Sequence, residues 1–144
     1  MSKEQADHHD AELVLRLYDL RRELVMRQSR DAINGQFWPR TYEDLIAVTK
    51  ADHHLNTPYR QVASYWEMVY GMVRHDIVHP DYFLESTGEG MYLYAKVAPY
   101  IEQLRRDASP TAFRNAEYVA TQTATGRRIF DVFTARVRKV LESR

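Results

Sequence analysis

The sequence contains no cysteine among its 144 residues. That excludes disulfides, thiol nucleophiles and cysteine metal ligands; it fits a reducing compartment, so the chain is expected in the cytoplasm. No apolar run approaches the ~18 residues a membrane span needs. The opening MSKEQADHHD also lacks the apolar core of a secretory leader. Charge of one sign is missing too, because 20 basic residues balance 20 acidic ones. Sequence-independent nucleic-acid binding rests on a basic footprint, so no nucleic-acid partner is expected. Glycine and proline are scarce, with five of each, and neither strand-like alternation nor a repeat is visible.

Helical periodicity is what the chain does have. Hydrophobic residues make up 44%, enough for a core at a length where a domain buries roughly 70% of its unfolded surface. The fold class is therefore all-α: one domain, a bundle of five or six helices, with residues 1–10 disordered.

Leu13, Leu17, Leu20 and Leu24 share one helical stripe, widened by Val14, Tyr18 and Val25. This predicts a core-facing first helix from Ala11 to Ile33, stopped by Asn34-Gly35. Pro39 keeps Trp38 extended, so Phe37 and Trp38 should lie across a neighbouring helix. Thr41 caps a short second helix, with Asp44 completing an imperfect capping box. Thr57-Pro58, His79-Pro80 and Ser109-Pro110 each place a proline at a first helical position. Thr57 and Ser109 are good N-caps and His79 a poorer one. The helix from Tyr59 to Arg74 carries Val62, Trp66, Val69 and Val73 on one stripe and should be central. Gly71 within it costs about 1 kcal/mol relative to alanine, which points to a close backbone neighbour. The region Asp81–Arg106 should break near Gly88-Glu89-Gly90 and again at Pro99. Pro110 to Leu141 is one helix or two.

The sharpest chemical motif is His75-Asp76-Ile77-Val78-His79. Histidines four apart with an acid after the first resemble the zinc-protease pattern, Asp replacing Glu. That chemistry needs both imidazoles on one helix face and a carboxylate reaching the metal-bound water. Asp is shorter than Glu, Pro80 follows at once, and Ile77-Val78 look like a buried connector. A polar helix corner is the preferred reading; a metal-assisted hydrolase using His75, Asp76 and His79 is the alternative function. The pairs His8-His9 and His53-His54 point their rings in different directions and read as surface residues. Gly88-Glu89-Gly90 carries an acid where a phosphate would bind, and no G-x-S-x-G element is present. Trp66, Glu67, Tyr70 and Gly71 should face the heart of the bundle as a pocket or packing centre. There burial would raise the pKa of Glu67 unless Arg60, Arg74 or Arg105 pairs with it, and a structural ion pair is the expected outcome. The tail carries Arg127, Arg128, Arg136, Arg138, Lys139 and Arg144. It can bind an anionic membrane or nucleic-acid backbone, but a core-facing helix with a solvated basic side is preferred. No cofactor or metal is expected.

Thr57 to Tyr118 resembles a family of small helical bacterial proteins carrying a domain of unknown function. The resemblance lies in YWEMVYGMV (65–73), RHDIVHPD (74–81), PYIEQLRR (99–106) and the aromatic helix start AFRNAEYV. In that family the corner reads as a basic residue, glycine, two aliphatics and an acid, which does not tie His75 or His79 to a metal. It implies no catalytic residues, and the membrane-spanning N-terminal segment of some relatives has no counterpart here. Ten tyrosines, two tryptophans and the leucine stripe lead to one functional expectation: a non-enzymatic helical interaction module, self-associating as a homodimer.

Overall fold

The computed structural model describes residues 3–144. Among these residues the regular elements are all helical. In order they are α1 (His8–Arg22), α2 (Leu24–Gln36), α3 (Tyr42–Val48), α4 (Asn56–Arg74), α5 (Pro80–Thr87), α6 (Gly90–Val97), a 3-10 turn (Ala98–Tyr100), α7 (Ile101–Asp107), α8 (Arg114–Gln122) and α9 (Ala124–Ser143). The all-α class holds, but there are more helices than the five or six expected.

The extra elements come from breaks with local causes. The expected first helix is two: Glu23 adopts φ −57° and ψ 145°, and its carboxylate accepts the Met26 N–H as the N-cap of α2. The leucine stripe is consequently not a continuous core face. Leu17 is buried, whereas Leu20 and Leu24 are exposed. Helix α1 begins at His8 rather than Ala11, because Asp7 and Asp10 form a reciprocal capping box. Helix α2 runs through Asn34-Gly35 to Gln36. Thr41 caps α3 through Asp44 N–H, as expected, while the Asp44 carboxylate accepts the Arg40 N–H.

Two of the three proline starts differ from expectation. Pro80 does open α5, but Pro58 lies inside the first turn of α4, and α8 starts only at Arg114. Phe113 precedes it in the left-handed region at φ 55°. At Pro99, which removes a helical N–H, α6 gives way to the 3-10 turn. The last region is two helices, separated where Thr123 extends (φ −123°, ψ 140°) and caps α9 through Gly126 N–H.

Helix α4 packs against α2 and α8, and α6 packs against α8 and α9. Helix α6 is the most enclosed element, burying Gly90, Met91 and Leu93 through Val97. One run of rings joins α4, α6 and α9 to the connectors at Phe37 and Phe113: Phe37 to Tyr59, Tyr59 to Phe113, Phe113 to Tyr94 and Tyr94 to Phe130, with centroids 5.7, 6.4, 6.1 and 5.3 Å apart. Phe37 and Trp38 reach α4 and α6 as expected, through Tyr59 and Tyr92. Such pairs add roughly 0.5–1.5 kcal/mol beyond area burial.

Glycine is required at two contacts between elements. A Cβ on Gly90 would lie 2.6 Å from the Tyr70 hydroxyl and 2.7 Å from the Trp66 ring, so α6 can start against α4 only without a side chain. A Cβ on Gly126 would lie 2.1 Å from the Val119 carbonyl, so the tight α8–α9 elbow depends on its absence.

Candidate functional site

The four residues expected at the bundle centre separate into two contacts. Trp66 and Tyr70 stack at 5.6 Å and are buried against Gly90. The Tyr70 hydroxyl donates to the Thr87 carbonyl at 2.8 Å, and burial raises its pKa well above the ordinary value. Glu67 and Gly71 instead face α8. Gly71 lies against the Asn115 side chain, not against the neighbouring backbone its presence pointed to.

Glu67 makes no ion pair with Arg60, Arg74 or Arg105 among the described residues. Its carboxylate accepts the N–H groups of Asn115 at 3.0 Å and Ala116 at 2.8 Å. These are free donors at the start of α8, where the helix dipole also favours a negative charge. Burial raises the Glu67 pKa, while the two amides and the more distant Arg105 and Arg74 pull against that rise. The expected salt bridge is replaced because α8 delivers backbone donors that no arginine had to supply.

The same arrangement occurs twice more. Asp10 is fully buried and accepts from Asp7 N–H (2.9 Å) and His79 N–H (3.0 Å), with the Lys3 ammonium 3.2 Å away. Burial works to raise its pKa, but these contacts together hold it below the ordinary value. Lys96 is 2% exposed and donates to the Ile33 carbonyl at 3.0 Å, near the C-terminus of α2. Its ammonium lies 3.9 Å from the Trp38 ring centroid and 4.8 Å from that of Tyr92. Burial, with Arg144 nearby, lowers it to about 7; the carbonyl and the rings act in the opposite direction. Neither Asp10 nor Lys96 was singled out by periodicity, since a charged residue carries no signal for burial.

The HDIVH motif is the corner between α4 and α5. His75 ends α4, Asp76 turns the chain at φ 62°, and His79 caps α5 by accepting Tyr82 N–H on Nδ1 at 3.2 Å. The two imidazoles therefore belong to different helix ends and share no face. Val78 is buried, but Ile77 is 55% exposed rather than part of a buried connector. Among the described residues, no group of three histidine, aspartate or glutamate side chains is placed to hold a metal ion.

The basic tail packs back on the bundle. Arg127 donates to the Thr121 carbonyl, Arg136 lies near the Tyr92 and Phe133 rings, and Arg144 lies 5.4 Å from the Trp38 ring. Arg40 donates to the Leu141 carbonyl at 2.8 Å, fastening the end of α9.

Large apolar side chains are exposed singly at Met68, Ile77 and Val132, and in greater number on α1 and the beginning of α2. Leu15, Tyr18, Leu20, Leu24 and Val25 are 67%, 45%, 47%, 56% and 49% exposed. Beside Leu15 and Tyr18 opens a cleft of 190 Å³, with Leu17, Tyr65 and Trp66 in its walls and Arg21 at one side. Arg21 donates to the Ser86 carbonyl, and both Arg21 and Arg22 lie over the Tyr18 ring at 5.4 and 5.2 Å.

These features define an all-helical protein with its interior charges tied to helix ends and an apolar face left open. The chain belongs to the family described as domain of unknown function DUF4760, which it matches over residues 6–123. The match contains α1 through α8. No curated protein and no solved structure shows significant similarity to the chain. Among the described residues, no helix is long and apolar enough to cross a membrane.

Proposed function

We propose that the chain is a non-enzymatic helical interaction module that folds as one domain and associates with a second copy of itself. The observation that carries this reading is the exposure of Leu15, Tyr18, Leu20, Leu24 and Val25 along α1 and the start of α2. Of these, Leu15 and Tyr18 lie together beside the apolar cleft; exposed apolar groups gathered in this way mark contact surfaces, and fully burying one such side chain is worth about 1.5–3 kcal/mol. The interior charges add support. Asp10, Glu67 and Lys96 each engage backbone groups at helix ends, an arrangement suited to holding elements together. The cysteine-free composition supports a cytoplasmic setting.

Light scattering on the full chain over a concentration series tests the proposal. A mass moving from one chain to two is expected; one chain at every concentration, up to the solubility limit, overturns self-association. No observation favours the hydrolase alternative, because His75 and His79 occupy different helix ends.

A further inference from the structure

We infer that the self-association proposed above, on which this inference rests, is an antiparallel pairing of α1 with α1 of a second copy about a two-fold axis. The argument starts from which side chains share the outward face of α1. Residues three, four and seven apart lie on one side of a helix, which groups Glu12, Leu15, Tyr18, Asp19 and Arg22. All five are exposed. Leu17, roughly opposite Leu15 around the helix, is buried in the core. The face thus reads acid, apolar, apolar, acid, base along the chain, with the exposed Arg16 at its edge ahead of Asp19.

That order is self-complementary only when reversed. With Leu15 set opposite Tyr18 of the second copy, Glu12 falls level with position 21 of that copy, one residue from its exposed Arg22, while Arg21 is turned away to the Ser86 carbonyl. Two-fold symmetry repeats both contacts. Asp19 then comes within reach of Arg16 of the second copy, about two residues or ~3 Å along the axis. A parallel pairing would instead set Glu12 against Glu12 and Arg22 against Arg22, with like charges meeting at both ends.

Arg22 also suits the helix dipole in the last turn, whereas Glu12 lies beyond the first turn, whose acid is the buried Asp10. The dipole does not account for the two large apolar side chains between them, 67% and 45% exposed. Nor does it account for the cleft they border, whose walls are mainly apolar and include Tyr65 and Trp66. Existing contacts leave the acid available: Glu12 pairs only with exposed His8 among the described residues. The second copy is therefore the occupant that matches both the apolar centre and the charge order of this face.

The test is a charge-swap series on the full chain, read by sedimentation equilibrium, with circular dichroism melts confirming that each variant folds. Leu15→Asp should weaken dimerisation at least about tenfold, and Glu12→Arg or Arg22→Glu several-fold. The double variant Glu12→Arg/Arg22→Glu should recover most of the loss, because each copy then offers the reversed pair. A parallel arrangement predicts no loss from either single swap, since like charges face one another before and after it. A dimer indifferent to all four variants overturns the α1 pairing while leaving self-association standing on another face. A chain monomeric throughout overturns both.

Discussion

Asp10 lies where an unpaired carboxylate would be costly, yet its pKa is held below the ordinary value because two backbone amides and Lys3 face it. The His79 amide ties α1 to the start of α5, so Asp10 is a joint between elements as much as a cap. Asp10→Asn places an amide group opposite one of these N–H donors. It should destabilise the chain by about 2 kcal/mol in urea unfolding near neutral pH. Because the folded pKa is depressed, the Asp10 contribution is complete above the unfolded value and lost as pH falls through the folded one. The variant should accordingly lose less stability than wild type on acidification below pH ~4.

Lys96 gives a dependence of the same sign in a higher pH window. Its folded value of about 7 lies below the unfolded 10.5, so between the two the folded chain binds fewer protons and stability rises with pH. Trp38, Tyr92 and Arg144 face it, and Arg136 lies over Tyr92. A rise of about 2 kcal/mol between pH 7 and 9.5 is expected in wild type, after allowing for the opposing carbonyl and ring contacts. Lys96→Met should flatten it. The buried tyrosines do not interfere in this window. Burial raises Tyr70 and Tyr94, Tyr94 to about 12, so their effect begins only above pH 10, where it lowers stability.

Elements are distinguished by what their glycines and breaks permit. Gly126 cannot carry a side chain without moving the Val119 backbone, so Gly126→Ala should cost at least about 3 kcal/mol by forcing the α8–α9 elbow apart. Gly35 is also helical, but nothing lies within 4 Å of the position its Cβ would take. Gly35→Ala should stabilise by about 0.4–1 kcal/mol through a less flexible unfolded chain. Thermal melts of the two variants should move in opposite directions; equal shifts would contradict the packing described. The helices α4 and α5, the break at Gly88–Gly90 and the interruption at Pro99 were readable because proline and apolar spacing act locally. The end of α1 was not, since Leu20 and Leu24 continue a perfect stripe while Glu23 turns the backbone to cap α2.

For the whole molecule, α9 lies beyond the family match at residue 123 but packs against α6, the most enclosed helix. Truncation after Thr123 would expose Tyr94 where it meets Phe130. The shortened chain should lose cooperative thermal unfolding, as followed by near-ultraviolet circular dichroism; a sharp melt would show that α1–α8 fold independently.

Composition and helical spacing by themselves determined the all-α class, the burial of Trp66 and Tyr70, and the corner at His75–His79, because each depends on contacts or backbone preferences within a few turns of chain. Only the tertiary structure decided that Glu67 meets the amides of α8, that Asp10 meets His79, that Lys96 meets the end of α2, and that half the leucine stripe stays in water. Those outcomes depend on which helix end arrives beside a charged side chain from far along the chain, and no local periodicity records that arrival.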